Sequence, residues 1–331
     1  MKKHILVVSQ YFYPENFRIN SICEEWIKRG YKVTVLTGIP NYPRGKFYKG
    51  YGWFKKRKEV FNDINIIRLP ILSRGKSSFK LVLNYFSFVI MGWFWKMFTS
   101  IKADLVFNFE VSPMSQALPA AWYAKKRKVP FILYVTDLWP ENLEIVAKIR
   151  NQIILNKVSK MVDYIYSRST LILTSSNSFI NAINKRGFDK KKIKFWPQYA
   201  EDYYVRMEKE LVHVCEIPND NIFNILFAGN IGYAQGLGIL PIVAKNLKNN
   251  NIRVRFNIVG DGRFKKEFID KVINNDVEEY FNFIDKQDPR RISEFTAVCD
   301  VSLIILSKSE VFSMTIPSKT QSCLACGKPV L

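Results

Sequence analysis

The chain has 331 residues, 48% hydrophobic and 15% aromatic. That length favours two domains, each able to bury its own core, and that composition excludes a disordered or fibrous chain. The formal charge of +21 is unevenly placed, because residues 1–200 hold 34 Lys or Arg against 12 Asp or Glu while residues 201–331 hold 16 against 17.

A positive field confined to the front of the chain attracts nucleic acid, anionic lipid or a phosphorylated ligand. No helix-turn-helix, RNP or zinc-finger pattern accompanies the charge, which leaves nucleic acid the weakest of the three. The five cysteines are odd in number and scattered, and the opening apolar run His4–Ser9 is too short for a secretory signal, so a reduced, cytoplasmic protein is expected. Cys323 and Cys326 have CxxC spacing, but no second pair or nearby His completes a zinc site, and small residues packed on a helix explain them more simply.

In chain order, KHILVVSQ predicts a strand, RINSICEEWIKRGY an amphipathic helix, and YKVTVLTG a second strand. TGIPNYPRGKFYKGYGWFKKRKEV, Thr37–Val60, then interleaves rings with cations. Tyr42, Arg44, Lys46, Tyr51, Trp53, Phe54, Lys55 and Lys56 are its candidates for contact with an anionic membrane or a lipid-borne acceptor, the alternative being solvated charge with rings used in packing. INIIRLPI predicts a strand and FKLVLNYFSFVIMGWFWKMF, Phe79–Phe98, a long apolar helix that includes Trp93. Lys80 and Lys96 bracket too short an apolar stretch for a span of about 20 residues, so a helix lying partly on the core and partly in the lipid interface is expected, with a buried core helix as the alternative. Strands at ADLVFNF, VPFILYVTD and STLILTSS alternate with helices near Pro113–Lys126 and Asn151–Arg168, the rhythm of a doubly wound parallel sheet.

KIKFWPQYAEDYYVRMEKE suits a linker, placing the domains at 1–200 and 201–331. A second strand–helix series follows: NIFNILFAGN, a helix from Leu237, VRFNIVGDG, a helix from Phe264, YFNFIDK, a helix from Pro289, DVSLIIL, and a helix from about Ser318. Two Rossmann-like domains facing a cleft are the expected α/β architecture, with ligands at the carboxyl ends of the strands. KPVL begins a further strand at the end of the sequence, as though the second domain were incomplete.

Four motifs resemble the GT-B retaining glycosyltransferases of family 4, in particular a bacterial O-antigen and capsule subgroup with N-acetyl-L-fucosamine transferases. They are PNYPRGKFYKGYG (Pro40–Gly52), VTDLWPENL (Val135–Leu143), FAGNIGYAQGL (Phe227–Leu237) and IPSKTQSCLACGKPVL (Ile316–Leu331). The resemblance implies a nucleotide-sugar donor, UDP-linked, on the second domain and a lipid-linked saccharide acceptor on the first.

Donor-binding candidates are Asn16, Gly229, Asn230, Gly232, Gln235, Gly260, Asp261, Arg263, Asp285, Lys286, Gln287, Glu310, Thr315, Pro317, Ser318, Lys319 and Ser322. GNIG lies at a strand's carboxyl end before a helix, where free amides and the helix dipole suit a diphosphate, and VGDG is a second such turn; the alternative for both is a structural turn only. Family members carry two Glu residues eight apart in the last motif, where this chain has Met314 and Ser322. The usual Arg and Lys after the first strand are replaced by Asn230 and Gln235, so Lys319 and Arg263 become the candidates for neutralising the diphosphate.

Asp137, Glu141 and Arg18 are the catalytic candidates, with capping of the LWPENL turn as the alternative role for Asp137. No DxD triplet is present, so no metal or other cofactor is expected, and His4 and His213 read as structural. Family members retain the anomeric configuration, the departing diphosphate taking the acceptor's proton on the same face. A GT-B-fold UDP-N-acetylhexosamine 2-epimerase is the rival enzyme, and a basic nucleic-acid-binding protein the non-enzymatic one.

Overall fold

The structure is a computed structural model describing residues 2–75, 77–146 and 151–331. The chain divides into two compact units, Met1–Pro197 and Gln198–Leu331.

The first unit runs β1 (His4–Val8), α1 (Ile19–Lys28), β2 (Lys32–Gly38), β3 (Lys58–Phe61), β4 (Ile64–Leu69), α2 (Ser78–Phe98), β5 (Leu105–Glu110), α3 (Leu118–Arg127), β6 (Phe131–Val135), α4 (Glu141–Val146), α5 (Gln152–Arg168), β7 (Leu171–Thr174), α6 (Asn177–Lys185) and β8 (Ile193–Phe195). Its sheet order is β3-β4-β2-β1-β5-β6-β7-β8, parallel throughout except for the antiparallel edge pair β3–β4. Near-continuous apolar runs such as HILVV and FILYV follow from burial on both faces. Strand order reverses between β1 and β5, which pair from Ile5↔Leu105 to Val8↔Asn108. That reversal is a topological switch point, and it opens a crevice at the carboxyl ends of the two strands.

The second unit runs β9 (Phe223–Ala228), α7 (Leu240–Asn249), β10 (Val254–Val259), α8 (Lys265–Asn274), β11 (Phe281–Ile284), α9 (Ile292–Val298), β12 (Val301–Ser302), α10 (Glu310–Ser313) and α11 (Ser318–Ala325). Its parallel sheet has the order β11-β10-β9-β12, with Val330 bridging to Ser302 beyond β12. The switch point here lies between β9 and β12. Phe227, Ile231, Leu237, Phe256, Ile258, Phe264 and Phe268 form the core against one face. Val214, Ile217, Leu226, Val259, Ile284 and Phe295 pack on the other.

Several expectations change in detail. DVSLIIL is a strand only at Val301–Ser302, and the segment read as linker contains β8. The helices predicted from Leu237 and Pro289 begin as single 3₁₀ turns, becoming α-helical at Leu240 and Ile292. The buried-core alternative for α2 does not hold, because only 17% of its most apolar stretch is buried. Asn84, Phe88 and Gly92 recur every four residues and form the packed strip, Gly92 lying so close to Pro119 that a Cβ would overlap its ring. At 100° per residue, Phe79, Val82, Phe86, Ile90, Trp93 and Met97 lie on the opposite side, where all are exposed. By length and composition α2 is the one helix among the described residues that could cross a membrane.

Candidate functional site

In the second unit the turns after β9 and β10 are joined through glycine. The Gly229 amide donates to the Val259 carbonyl at 2.9 Å, and the Ile231 amide to the Asp261 carbonyl at 2.9 Å. Gly229 and Gly260 have φ of 145° and 146°, and a Cβ on Gly260 would overlap the Gly229 carbonyl oxygen. Gly262 is pressed in the same way against the Ile231 carbonyl. Only glycine permits this backbone approach.

GNIG does follow a strand and precede a helix, but not immediately. Two 3₁₀ turns, Tyr233–Gln235 and Leu237–Ile239, separate it from α7. Instead Lys319, in the first turn of α11, reaches the Gly229 turn. A Cβ on Gly229 would lie 2.7 Å from its Cε, and its Nζ donates to Gln235 Oε1 at 2.6 Å. Nζ also stands 3.8 Å from the centre of the Phe227 ring. No carboxylate pairs with it among the described residues, and removal from water pulls its pKa down to about 7. Pro317 occupies the N-cap of α11 without a side-chain cap, and Ser318 is the first helical residue, so the leading amides carry their partial positive charge toward any anion.

The other second-unit residues take varied places. Asn230 is exposed, with its Nδ2 against Gly232. Asp261 closes its own turn, accepting from the Gly262 amide at 2.7 Å, and Arg263 is exposed. Asp285 is paired with Lys265 at 2.9 Å, Gln287 accepts from Arg291, and Lys286 is exposed. Glu310 is exposed on α10, Thr315 donates to the Val311 carbonyl at 3.0 Å, and Ser322 is half-buried on α11. Cys323 and Cys326 are both free thiols.

In the first unit, Asp137 Oδ2 accepts from the Ser112 amide (3.0 Å) and hydroxyl (2.7 Å), so it joins the loops after β5 and β6. Trp139 Nε1 donates to the same hydroxyl at 3.2 Å. Beneath Asp137 lies Glu110, which is wholly buried. Its Oε2 accepts the Asp137 amide at 3.3 Å, and its Oε1 has no partner among the described residues. Burial, then the Asp137 charge, push the Glu110 pKa well up. Glu141 Oε2 and the Tyr166 hydroxyl are likewise buried and without a partner among the described residues, and both Glu110 and Glu141 raise the Tyr166 pKa after burial itself. Glu110 was missed in the sequence, although it closes the strand ADLVFNFE.

Asn16 is exposed and Arg18 precedes α1. Between them and β1 sits Glu15, also missed, 2% exposed, whose Oε1 accepts the amides of Asn41 and Tyr42 at 2.6 Å each. Burial raises its pKa to about 7 against the opposing effect of those amides.

The basic loop divides into packed and free residues. Tyr42 packs at a tilt against Tyr11 and Phe17, and Tyr51 lies under the Arg68 guanidinium and Lys56 ammonium at 4.9 and 5.0 Å. Trp53 donates to the Ile71 carbonyl at 3.0 Å yet keeps an exposed ring, and Phe54 is 94% exposed. Arg44, Lys46 and Lys55 are exposed, as is Trp93 on α2. His4 is structural in its contacts, meeting Thr34 Oγ1 at 2.9 Å and the Lys102 carbonyl at 3.0 Å.

Two Rossmann-like sheets, each with a polar cluster at the carboxyl ends of its strands, define the GT-B architecture. The fold is shared with Anabaena Alr3699/HepE in complex with UDP and glucose (TM-score 0.68, 13% identity, 99% of this chain and 80% of that one). It is shared also with WaaG, a glycosyltransferase involved in lipopolysaccharide biosynthesis (TM-score 0.63, 14% identity, 99% and 80%). Residues 17–198 match Glycosyltransferase Family 4, and the chain belongs to that family. WcaI of Escherichia coli (strain K12), whose name ascribes to it a glycosyl transfer in colanic acid biosynthesis, is 25% identical over 326 residues, 92% of this chain and 75% of its own length. The protein is thus a glycosyltransferase, and the epimerase and nucleic-acid readings fall away.

Proposed function

We propose that the protein transfers an N-acetylated deoxyhexosamine such as N-acetyl-L-fucosamine from a UDP donor to a saccharide on undecaprenyl diphosphate. The reaction retains configuration, needs no metal, and serves capsule or O-antigen synthesis at the cytoplasmic face of the membrane. Lys319 carries this reading. It is an amine drawn largely out of water and, among the described residues, unpaired with any carboxylate, beside the Gly229 turn and at the uncapped start of α11. A sugar diphosphate supplies the missing charge and accepts the free amides.

Several observations support the finer assignments. HepE was solved with UDP and glucose, and the names of WcaI and WaaG attach them to surface polysaccharides. The Pro40–Gly52 motif supports the choice of sugar. In a retaining transfer the bond from the anomeric carbon to the diphosphate breaks. The acceptor hydroxyl bonds to the same face, and its proton passes to the departing phosphate oxygen. The chain's task is then to stabilise the growing pyrophosphate charge, through Lys319 and the α11 amides. Asp137, oriented by Ser112, stands ready to position an acceptor hydroxyl.

The exposed apolar side of α2 and the tip Trp53–Phe54, ringed by Lys55, Lys56, Arg57 and Lys58, support peripheral docking on anionic lipid. Each such cation contributes about 1 kcal/mol near an anionic surface. A thermal-shift panel of UDP-, GDP- and TDP-sugars tests the donor site. Stabilisation by UDP-N-acetyl sugars that is lost in Lys319→Gln is expected, and no shift from any nucleotide sugar would contradict the reading.

A further inference from the structure

Two arginines of the first unit differ in how their donors are used. Arg68 is wholly buried and saturated: its guanidinium meets Glu59, the Gly38 carbonyl and the Tyr13 carbonyl. It is a structural arginine. Arg74, six residues later, is held just as firmly by its backbone but not by its side chain. Its amide donates to Asn41 Oδ1 at 3.0 Å. The next residue, Gly75, donates to the Gly45 carbonyl at 2.9 Å and fits against it so closely that Gly45 could carry no Cβ.

The Arg74 guanidinium stands over the rings of Tyr42 and Tyr11 at 5.0 and 5.9 Å, and Nη1 donates to the Tyr11 hydroxyl at 3.0 Å. Among the described residues no carboxylate forms an ion pair with it and nothing accepts from Nε or Nη2, although the Tyr85 hydroxyl and the Glu15 carboxyl lie near enough to act on its charge. A guanidinium offers five donors in a planar fork matched to phosphate. Here a half-buried fork is fixed in place by aromatic walls with most of its donors unspent.

Its position indicates what it serves. Tyr11 follows β1, Tyr42 follows β2 and Arg74 follows β4, three adjacent strands, so the fork lies at the carboxyl edge of the sheet. It also lies four residues before α2, whose Asn84 donates to the Leu72 carbonyl at 2.6 Å and accepts from Gln10 at 2.7 Å. The loop is thereby tied both to the apolar helix and to the end of β1.

We infer that Arg74 is an anion-binding residue that grips the diphosphate joining the acceptor saccharide to its lipid. The inference rests on the proposed lipid-linked acceptor and names the contact that recognises it. The diphosphate is an anion held at the lipid surface with a sugar projecting toward the chemistry, which is the path from α2 to the strand ends.

The experiment has three arms. With a lipid-diphosphate saccharide and with the same saccharide on a neutral alkyl chain as acceptors, Arg74→Gln is expected to raise KM for the first about tenfold or more, leaving KM for the second and for the donor unchanged. Arg74→Lys should restore part of the loss. Equal effects on both acceptors, or on the donor, would overturn the assignment. Flotation with phosphatidylglycerol vesicles separates acceptor from headgroup: binding unchanged in Arg74→Gln is expected, and loss of vesicle binding alone would contradict it. Inorganic pyrophosphate, titrated into a Lys319→Gln background that removes the donor cation, keeps the test valid even if the wild type refuses both acceptors. Binding that survives Lys319→Gln and vanishes on adding Arg74→Gln is the expected result, and a second substitution without effect refutes the site. Tyr11→Phe, which removes the hydroxyl's hydrogen bonds to Arg74 and Tyr85 but no charge, controls for folding, with melting temperature read for every variant.

Discussion

Glu15 is a carboxyl group taken out of water to hold a loop. Two backbone amides favour its charged form, yet burial outweighs them and its pKa stands at about 7 instead of 4.5. The folded protein therefore binds this proton more tightly than the unfolded chain. The contribution to stability falls as pH rises from about 4.5 to about 7, and is flat above. Across that window the change is at most about 3 kcal/mol. Glu15→Gln should flatten this part of the profile, so that denaturant melts of variant and wild type converge or cross as pH rises. Parallel profiles at every pH would show that Glu15 titrates normally.

Lys319 has the opposite sign. Its folded value of about 7 lies below the ordinary 10.5, so the free protein holds it largely neutral at pH 8. A diphosphate beside it would draw the proton back. Calorimetry of a nucleotide sugar at about pH 8, in two buffers of unequal ionisation enthalpy, should record close to one proton taken up. Lys319→Gln should take up none and bind roughly tenfold to a hundredfold more weakly. Uptake that persists in the variant would locate the titrating group elsewhere.

At the scale of elements, the glycine contacts between the β9 and β10 turns allow a test by one methyl group. Gly260→Ala forces a Cβ onto the Gly229 carbonyl and puts an L-residue at φ 146°. A loss of about 2–4 kcal/mol in stability is expected, with donor binding reduced in whatever fraction folds. A loss under about 0.5 kcal/mol would mean the turns can separate freely. For α2, Phe86→Glu with Ile90→Glu alters only the exposed side. The melting temperature should hold while binding to anionic vesicles drops about tenfold or more. Unchanged vesicle binding would remove α2 from the docking surface.

These elements also show what could be read in advance. Long apolar runs such as HILVV and FILYV announced buried parallel strands, because two covered faces leave no room for polar alternation. β3, the four residues KEVF at the sheet edge where the basic run KKRK ends, and the three-residue β8 gave no such signal. Edge strands owe their pairing to a neighbour rather than to their own pattern. The exposure of α2 was half legible: the apolar residues surround the helix, and only its contact with Pro119 through Gly92 reveals which strip is packed. Arg74 and Glu110 were hidden for a different reason. Each is an ordinary residue in composition, and becomes notable only when tertiary neighbours either leave its polar atoms unpartnered or surround it with rings.

Across the whole molecule, the surplus cations all belong to residues 1–200 while the remainder is nearly neutral. That asymmetry matches a division of labour in which one unit meets an anionic surface and the other a soluble donor. Surface electrostatics of this kind weaken with salt, so vesicle binding should fall between about 0.05 and 0.5 M NaCl while donor binding changes little.

Transfer of a sugar from nucleotide to lipid-borne acceptor is read from the mass of the lipid product. The protein, a UDP-N-acetyl-deoxyhexosamine and a lipid-diphosphate saccharide in anionic vesicles should together yield a lipid product heavier by one sugar, with UDP released only when acceptor is present. UDP release or sugar epimerisation at the same rate without acceptor, and no gain in lipid mass, would contradict the account.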